Sequence, residues 1–131
     1  GSCCQEKSPA HQFCYRHHCY ETTRQVAQYL ELKEGTYSSS FQSRLAGQPW
    51  LRPYTDKVVE NFAQTGTKNL AIVTPAFVSD CLETLEEIGM EAKDDFIEKG
   101  GEKFHVVPCL NDDKDWVKTL SRWIDEWANI K

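Results

Sequence analysis

No apolar run in this sequence approaches the roughly 20 residues that a bilayer-crossing helix requires, so no transmembrane helix is expected within these residues. No secretory signal is visible, and the expected location is cytoplasmic. Lys and Arg number 15 against 20 Asp and Glu, the net charge is −5, and the basic residues are scattered, so no partner with a phosphate backbone is expected. Neither G-x-G-x-x-G nor G-x-x-x-x-G-K-S/T occurs. The only adjacent glycines, Gly100 and Gly101, precede a predicted strand instead of following one, which argues against a nucleotide or flavin cofactor. Internal repeats and low-complexity tracts are also missing.

What is present is a chain of 131 residues, 40% of them hydrophobic, enough for one globular domain with a core. It opens Gly1-Ser2, which reads as a cloning scar ahead of a piece cut from a longer protein. Cysteines are plentiful and uneven. Cys3, Cys4, Cys14 and Cys19 crowd the start, while Cys81 and Cys109 lie far downstream. A disulfide framework would come with a secretory context, so metal binding or free thiols are expected for the first four. Buried small hydrophobes are expected at Cys81 and Cys109.

Residues 1–16 are polar, rich in Cys and His, and read as loop; residues 17–131 read as the folded domain. A helix is predicted over 20–31, with Val26, Tyr29 and Leu30 on its apolar side. The stretch TYSSSFQS predicts a strand at 36–43. Gly47, Pro49 and Pro53 make the next segment a loop. Thr55 or Asp56 caps a second helix, with apolar positions at Val58, Val59, Phe62 and Ala63. NLAIVT, at 69–74, is a continuous apolar run of the kind a doubly covered parallel strand shows. Ser79 or Asp80 caps a third helix running to Lys99, whose 3.6-residue period predicts a buried stripe of Leu82, Leu85, Ile88, Ala92 and Phe96. FHVVP predicts a third strand, with His105 partly buried. NDDKD caps a last helix bearing Trp116, Leu120, Trp123 and Trp127. The order α-β-α-β-α-β-α implies an α/β fold with a parallel sheet.

In open parallel sheets, ligands bind beyond the carboxyl ends of the strands. The loops there carry Trp50, Pro53, Tyr54, Pro75 and Phe77, with Gln42, Ser43, Arg44 and Asn111 as polar anchors, which suits a flat apolar ligand. Glu83, Glu87 and Glu91 recur every four residues and fall within an arc of about 80° on a helix. The plain reading is the solvated face of an amphipathic helix, opposite the leucine stripe. The sharper one is a cleft lining that passes cations or protons, since carboxylates are hard ligands for hydrated metal ions. A π-bulge would bring residues four apart into closer line. Repulsion along the row should raise the pKa of one or more members.

The segments FQSRLAGQPWLRPYTD, TPAFVSDCLETLEEIGMEA and VPCLNDD, in that order, resemble ferrochelatase in its C-terminal half. The resemblance implies a flavodoxin-like (Rossmann-like) three-layer half-domain and a lyase that inserts ferrous iron into a porphyrin in haem biosynthesis. It implies that Glu83 is the catalytic glutamate and that Glu87 and Glu91 continue a proton or metal relay along a π-distorted helix. It also implies that Trp50, with Gln42, Ser43 and Arg44, lines the porphyrin. The family's catalytic histidine lies in a segment absent here, and none of His11, His17, His18 or His105 stands in a matching context. The isolated chain is therefore expected to be inactive without the N-terminal half of the same enzyme.

Some microbial ferrochelatases resemble this chain in carrying a cysteine-bearing insertion that holds an iron–sulfur cluster ([2Fe-2S]). Cys3, Cys4, Cys14 and Cys19 would supply its four thiolates in the full-length enzyme. Zinc at Cys14, Cys19 and a nearby His, or reduced thiols without metal, are the alternatives. Two rival classes complete the reading: a complete small chelatase that builds its cleft by homodimerisation, and a non-catalytic thiol-metal module on an α/β scaffold.

Overall fold

The computed structural model of the chain describes residues 6–42 and 49–130. The chain divides into two compact units, residues 1–62 and 63–131.

In the first unit the segment expected to be loop is partly helical. A 3-10 turn spans Pro9–Phe13, and Ser8 caps it by accepting from the Ala10 amide at 3.3 Å. Helix α1 then runs Tyr15–Tyr29. It begins five residues before the predicted start, because the first turn has its own side-chain support: the Arg16 guanidinium stacks over the Tyr20 ring at 5.4 Å, an i,i+4 pair. His17, in that first turn, stacks on His11 with ring centres 3.9 Å apart. The buried face of α1 also differs from the expected one. Val26, Tyr29 and Leu30 are exposed, and Ala27 is buried, with Tyr20 and Thr23 half-buried on the same side.

No strand forms over residues 36–42. Phe41 makes one isolated parallel bridge with Tyr54: its amide donates to the Pro53 carbonyl at 2.9 Å and its carbonyl accepts from Thr55 N at 3.1 Å. The serines before it are spent on helices instead. Ser39 Oγ lies 2.8 Å from Thr23 Oγ1, and Ser40 Oγ lies 3.0 Å from Thr55 Oγ1. Short hydroxyl side chains offer the chain such alternatives to a sheet ladder. Phe41 is buried and meets Tyr20 edge-on at 5.9 Å. Helix α2, Thr55–Gln64, follows, with Thr55, Val59 and Ala63 as its buried line and Val58 and Phe62 half-buried, close to the expected pattern.

The second unit is a strand–helix–strand arrangement. Strand β1 (Asn69–Ile72) pairs in parallel with β2 (Lys103–Val106), in register from Asn69 opposite Lys103 to Ile72 opposite Val106. The parallel sheet expected of an α/β fold is there, with two strands. Leu70, Ile72, Phe104 and Val106 share the half-buried face, and alternation puts His105 on the opposite, exposed face rather than in the core. Between the strands lie a π-helix, Glu83–Ala92, and a short helix α3, Lys93–Glu98. Phe96 is wholly buried and packs against Phe104 at 5.6 Å between ring centres.

Helix α4, Lys114–Ala128, closes the chain. Its cap falls within the expected NDDKD segment: Asp113 Oδ1 accepts from the amides of Asp115 at 2.9 Å and Trp116 at 3.1 Å. Removing that carboxylate leaves two first-turn donors without their acceptor. Asp113→Ala is expected to lower stability by about 1 kcal/mol, read as a shift in the urea midpoint at unchanged slope.

Candidate functional site

The most unusual element in the structure is the π-helix. Such helices account for well under 1% of residues and mostly appear as single-turn bulges, yet this one holds for ten residues. Its consequence is a change of period. The buried residues are Thr84, Ile88, Ala92 and Phe96, exactly four apart along the π-helix and into α3. The predicted stripe is correct at Ile88, Ala92 and Phe96 and wrong at Leu82 and Leu85, which are 66% and 57% exposed. A wider turn lets residues four apart stay in line, where an α-helix would rotate them steadily away.

Glu83, Glu87 and Glu91 form the adjacent row. They do not stand opposite the core, as the 3.6-residue template requires, but directly beside it. Glu83 and Glu87 are half-buried, and Glu91 is exposed. The row thus leads from the edge of the core to solvent.

Glu83 does not carry a raised pKa. A hydrogen bond from the Cys81 thiol, joined by one from the residue's own backbone amide, holds its carboxyl below the usual range, and partial burial opposes this only weakly. Local donors thus set the direction of the shift at this position. Asp80 behaves similarly: bonds from Asn111, Cys109 and Thr84 hold it below its ordinary value. Both groups are carboxylates at neutral pH. What they contribute to stability is present above the ordinary carboxylate range and is lost as the pH falls through their lowered folded values.

Cys81 and Cys109 are therefore not merely small hydrophobes. Both are half-buried and free of disulfides, and both bond to carboxylates; Cys109 Sγ also lies 3.5 Å from Thr74 Oγ1. Around them a network ties the loop after β1 to the loop after β2. Asn111 Nδ2 donates to Asp80 Oδ2 at 2.7 Å, and Asp80 N donates back to Asn111 Oδ1 at 2.9 Å. Both loops sit at the carboxyl ends of the parallel strands, where a ligand site is expected. Sequence reading placed Asn111 among the loop anchors and Asp80 as a cap. Their pairing has no signature in one dimension, because the two are 31 residues apart.

The remaining expected site residues belong to the first unit. Trp50 is 43% exposed, and its indole Nε1 donates to the Gln42 carbonyl at 3.0 Å. Ser43 and Arg44 lie outside the described residues, as do Cys3 and Cys4. Cys14 and Cys19 are half-buried free thiols at the start of α1. Among the described residues, no group of three or more His, Cys, Asp or Glu side chains is placed to hold a metal ion. Among the same residues, no helix is long and apolar enough to cross a membrane.

Comparison with known proteins supplies the family. Residues 3–128 match the family Ferrochelatase. A ferrochelatase of Opitutus terrae is 46% identical over 127 residues, covering 97% of this chain and 37% of the relative. One from Pseudomonas fluorescens is 47% identical over 122 residues, covering 92% and 36%. One from Legionella pneumophila is 44% identical over 115 residues, covering 88% and 35%. The chain thus spans a little over a third of the length of the curated relatives it matches. With a parallel α/β unit, a glutamate row on a π-helix and a match over nearly its whole length, this chain belongs to the ferrochelatase family.

Proposed function

We propose that this chain is the C-terminal domain of a ferrochelatase, a lyase that inserts ferrous iron into a porphyrin in haem biosynthesis. The observation that carries the reading is the row of Glu83, Glu87 and Glu91 along a ten-residue π-helix in a chain of this family.

The chemistry follows from what insertion demands. The porphyrin must lose two pyrrole protons, and the iron, here a substrate, must shed its water. Glu83 is the proton acceptor: it is ionised at neutral pH and sits nearest the core end of the row. Glu87 and Glu91 continue outward as oxygen sites for a hydrated cation or a departing proton. Trp50 offers a flat apolar face to the macrocycle, and the likeness of this segment to the family adds Gln42, Ser43 and Arg44 to the porphyrin lining. Residues 17–131 make up this domain, preceded by the Cys/His segment 1–16, and the enzyme works in the cytoplasm. The second half of the cleft and the catalytic histidine come from the N-terminal half of the same enzyme, so the isolated chain does not turn over.

The test is a chimera in which this chain replaces the matching segment of the Opitutus relative. Iron insertion is followed by loss of porphyrin fluorescence. The chimera is expected to insert iron and the isolated chain is not. A chimera that folds, judged by its circular dichroism, yet leaves the porphyrin metal-free would overturn the reading.

A further inference from the structure

We propose that Asn111 is a positioning residue for Glu83: paired with Asp80 across two loops, it clamps the first turn of the π-helix and so fixes where the Glu83 carboxylate sits. The proposal rests on the reading of Glu83 as the acceptor and adds to it the group that aims that side chain.

The geometry runs in one direction from β2 to the helix. Asn111 adopts a left-handed backbone, φ 49°, a conformation that asparagine tolerates better than most residues. Its amide donates to the Val78 carbonyl at 2.9 Å, which fixes the residue against the loop after β1. In that pose its side chain both gives and receives. Nδ2 donates to Asp80 Oδ2 at 2.7 Å, and Oδ1 accepts from Asp80 N at 2.9 Å. Asp80 is thereby held at two points, carboxylate and backbone.

Its other carboxylate oxygen reaches the helix. Asp80 Oδ1 lies 3.0 Å from Thr84 Oγ1, and the same hydroxyl accepts from Cys81 N at 3.0 Å. Thr84 is only 3% exposed and is the first member of the buried row, so it links the clamp to the core. Glu83 is the first residue of the π-helix and stands between Cys81 and Thr84. The Cys81 amide and the Thr84 hydroxyl, which flank Glu83 along the chain, are thus both tied to the Asn111–Asp80 pair. The first turn of any helix leaves amide donors without intrahelical partners, and a clamp of this kind stops it fraying. The planar amide presents a donor and an acceptor on two separate atoms of one short arm, which matches the carboxylate oxygen and the backbone N–H that Asp80 turns toward it. Asparagine at 111 is therefore specific where aspartate would set two carboxylates face to face.

The experiment uses the full 131-residue chain. Two NMR readouts are taken: the carboxyl titration of Glu83, and hydrogen exchange of the amides of residues 84–88. Asn111→Asp is expected to move the Glu83 titration up toward the ordinary carboxylate range and to speed that exchange at least tenfold. The exchanged pair, Asp80→Asn with Asn111→Asp, restores one donor amide facing one carboxylate and is expected to return both readouts to the parent values. Overall loosening of the fold would not be repaired in this way. Unchanged readouts in Asn111→Asp, or no recovery in the exchanged pair, would overturn the proposal. In the chimera, Asn111→Asp should lower kcat about tenfold at unchanged porphyrin KM, and a normal kcat there would also overturn it. An inert parent chimera would instead count against the chelatase reading, because the NMR readouts need neither iron nor porphyrin.

Discussion

Phe96→Ala is expected to cost about 3–5 kcal/mol of stability, the largest loss among single substitutions considered for this chain. Phe96 is 0% exposed, and it ends the buried row that starts at Thr84. Its ring lies against Phe104 on β2, so it is where the helical crossover meets the sheet. Truncation removes the ring from both, and the site has little means of collapsing, because the backbone on one side is Gly101. That glycine is itself buried, and its amide donates to the Phe96 carbonyl at 2.9 Å. A methyl group at Gly101 would lie within the Phe96 ring. Gly101→Ala should therefore destabilise as well, by about 1–3 kcal/mol, through overpacking rather than a cavity. Urea unfolding checks both. If Phe96→Ala moved the transition by less than about 1 kcal/mol, the core would not be organised around this ring.

Glu83→Gln in the active chimera is expected to lower iron insertion by a factor of about 100 to 10,000, the range for loss of a positioned proton acceptor. Glutamine keeps the size of the side chain and its bond from the Cys81 thiol but cannot take a proton. Binding and chemistry should separate: porphyrin affinity, followed by fluorescence, stays near the parent value while kcat falls. Glu91→Gln should do much less, since Glu91 is at the exposed end of the row. Normal turnover in Glu83→Gln would remove this residue from the machinery and leave the acidic row as a solvated helix face.

The sequence carried more of this than the helix template extracted. Thr84, Ile88, Ala92 and Phe96 recur strictly every four residues, and so do Glu83, Glu87 and Glu91. Read with a 3.6-residue period, the first row is broken by Leu82 and Leu85, and the carboxylates seem to face away from the core. Read with a period of four, the rows lie side by side, as the structure has them. The strand expected at 36–43 failed for a different reason. Its serines found hydroxyl partners on α1 and α2, which no local pattern reveals.

Local chemistry therefore sufficed for the α/β alternation, the two parallel strands, the Asp113 cap and the residues of the glutamate row. Each depends on neighbours within about a turn of helix or a few residues of strand, and those neighbours are in the string of letters. Folding alone settled which side of the third helix is buried and the union of Asp80 with Asn111. Both depend on groups brought together across the chain, where a hydrogen bond of 2.7 Å is decided by packing rather than by spacing.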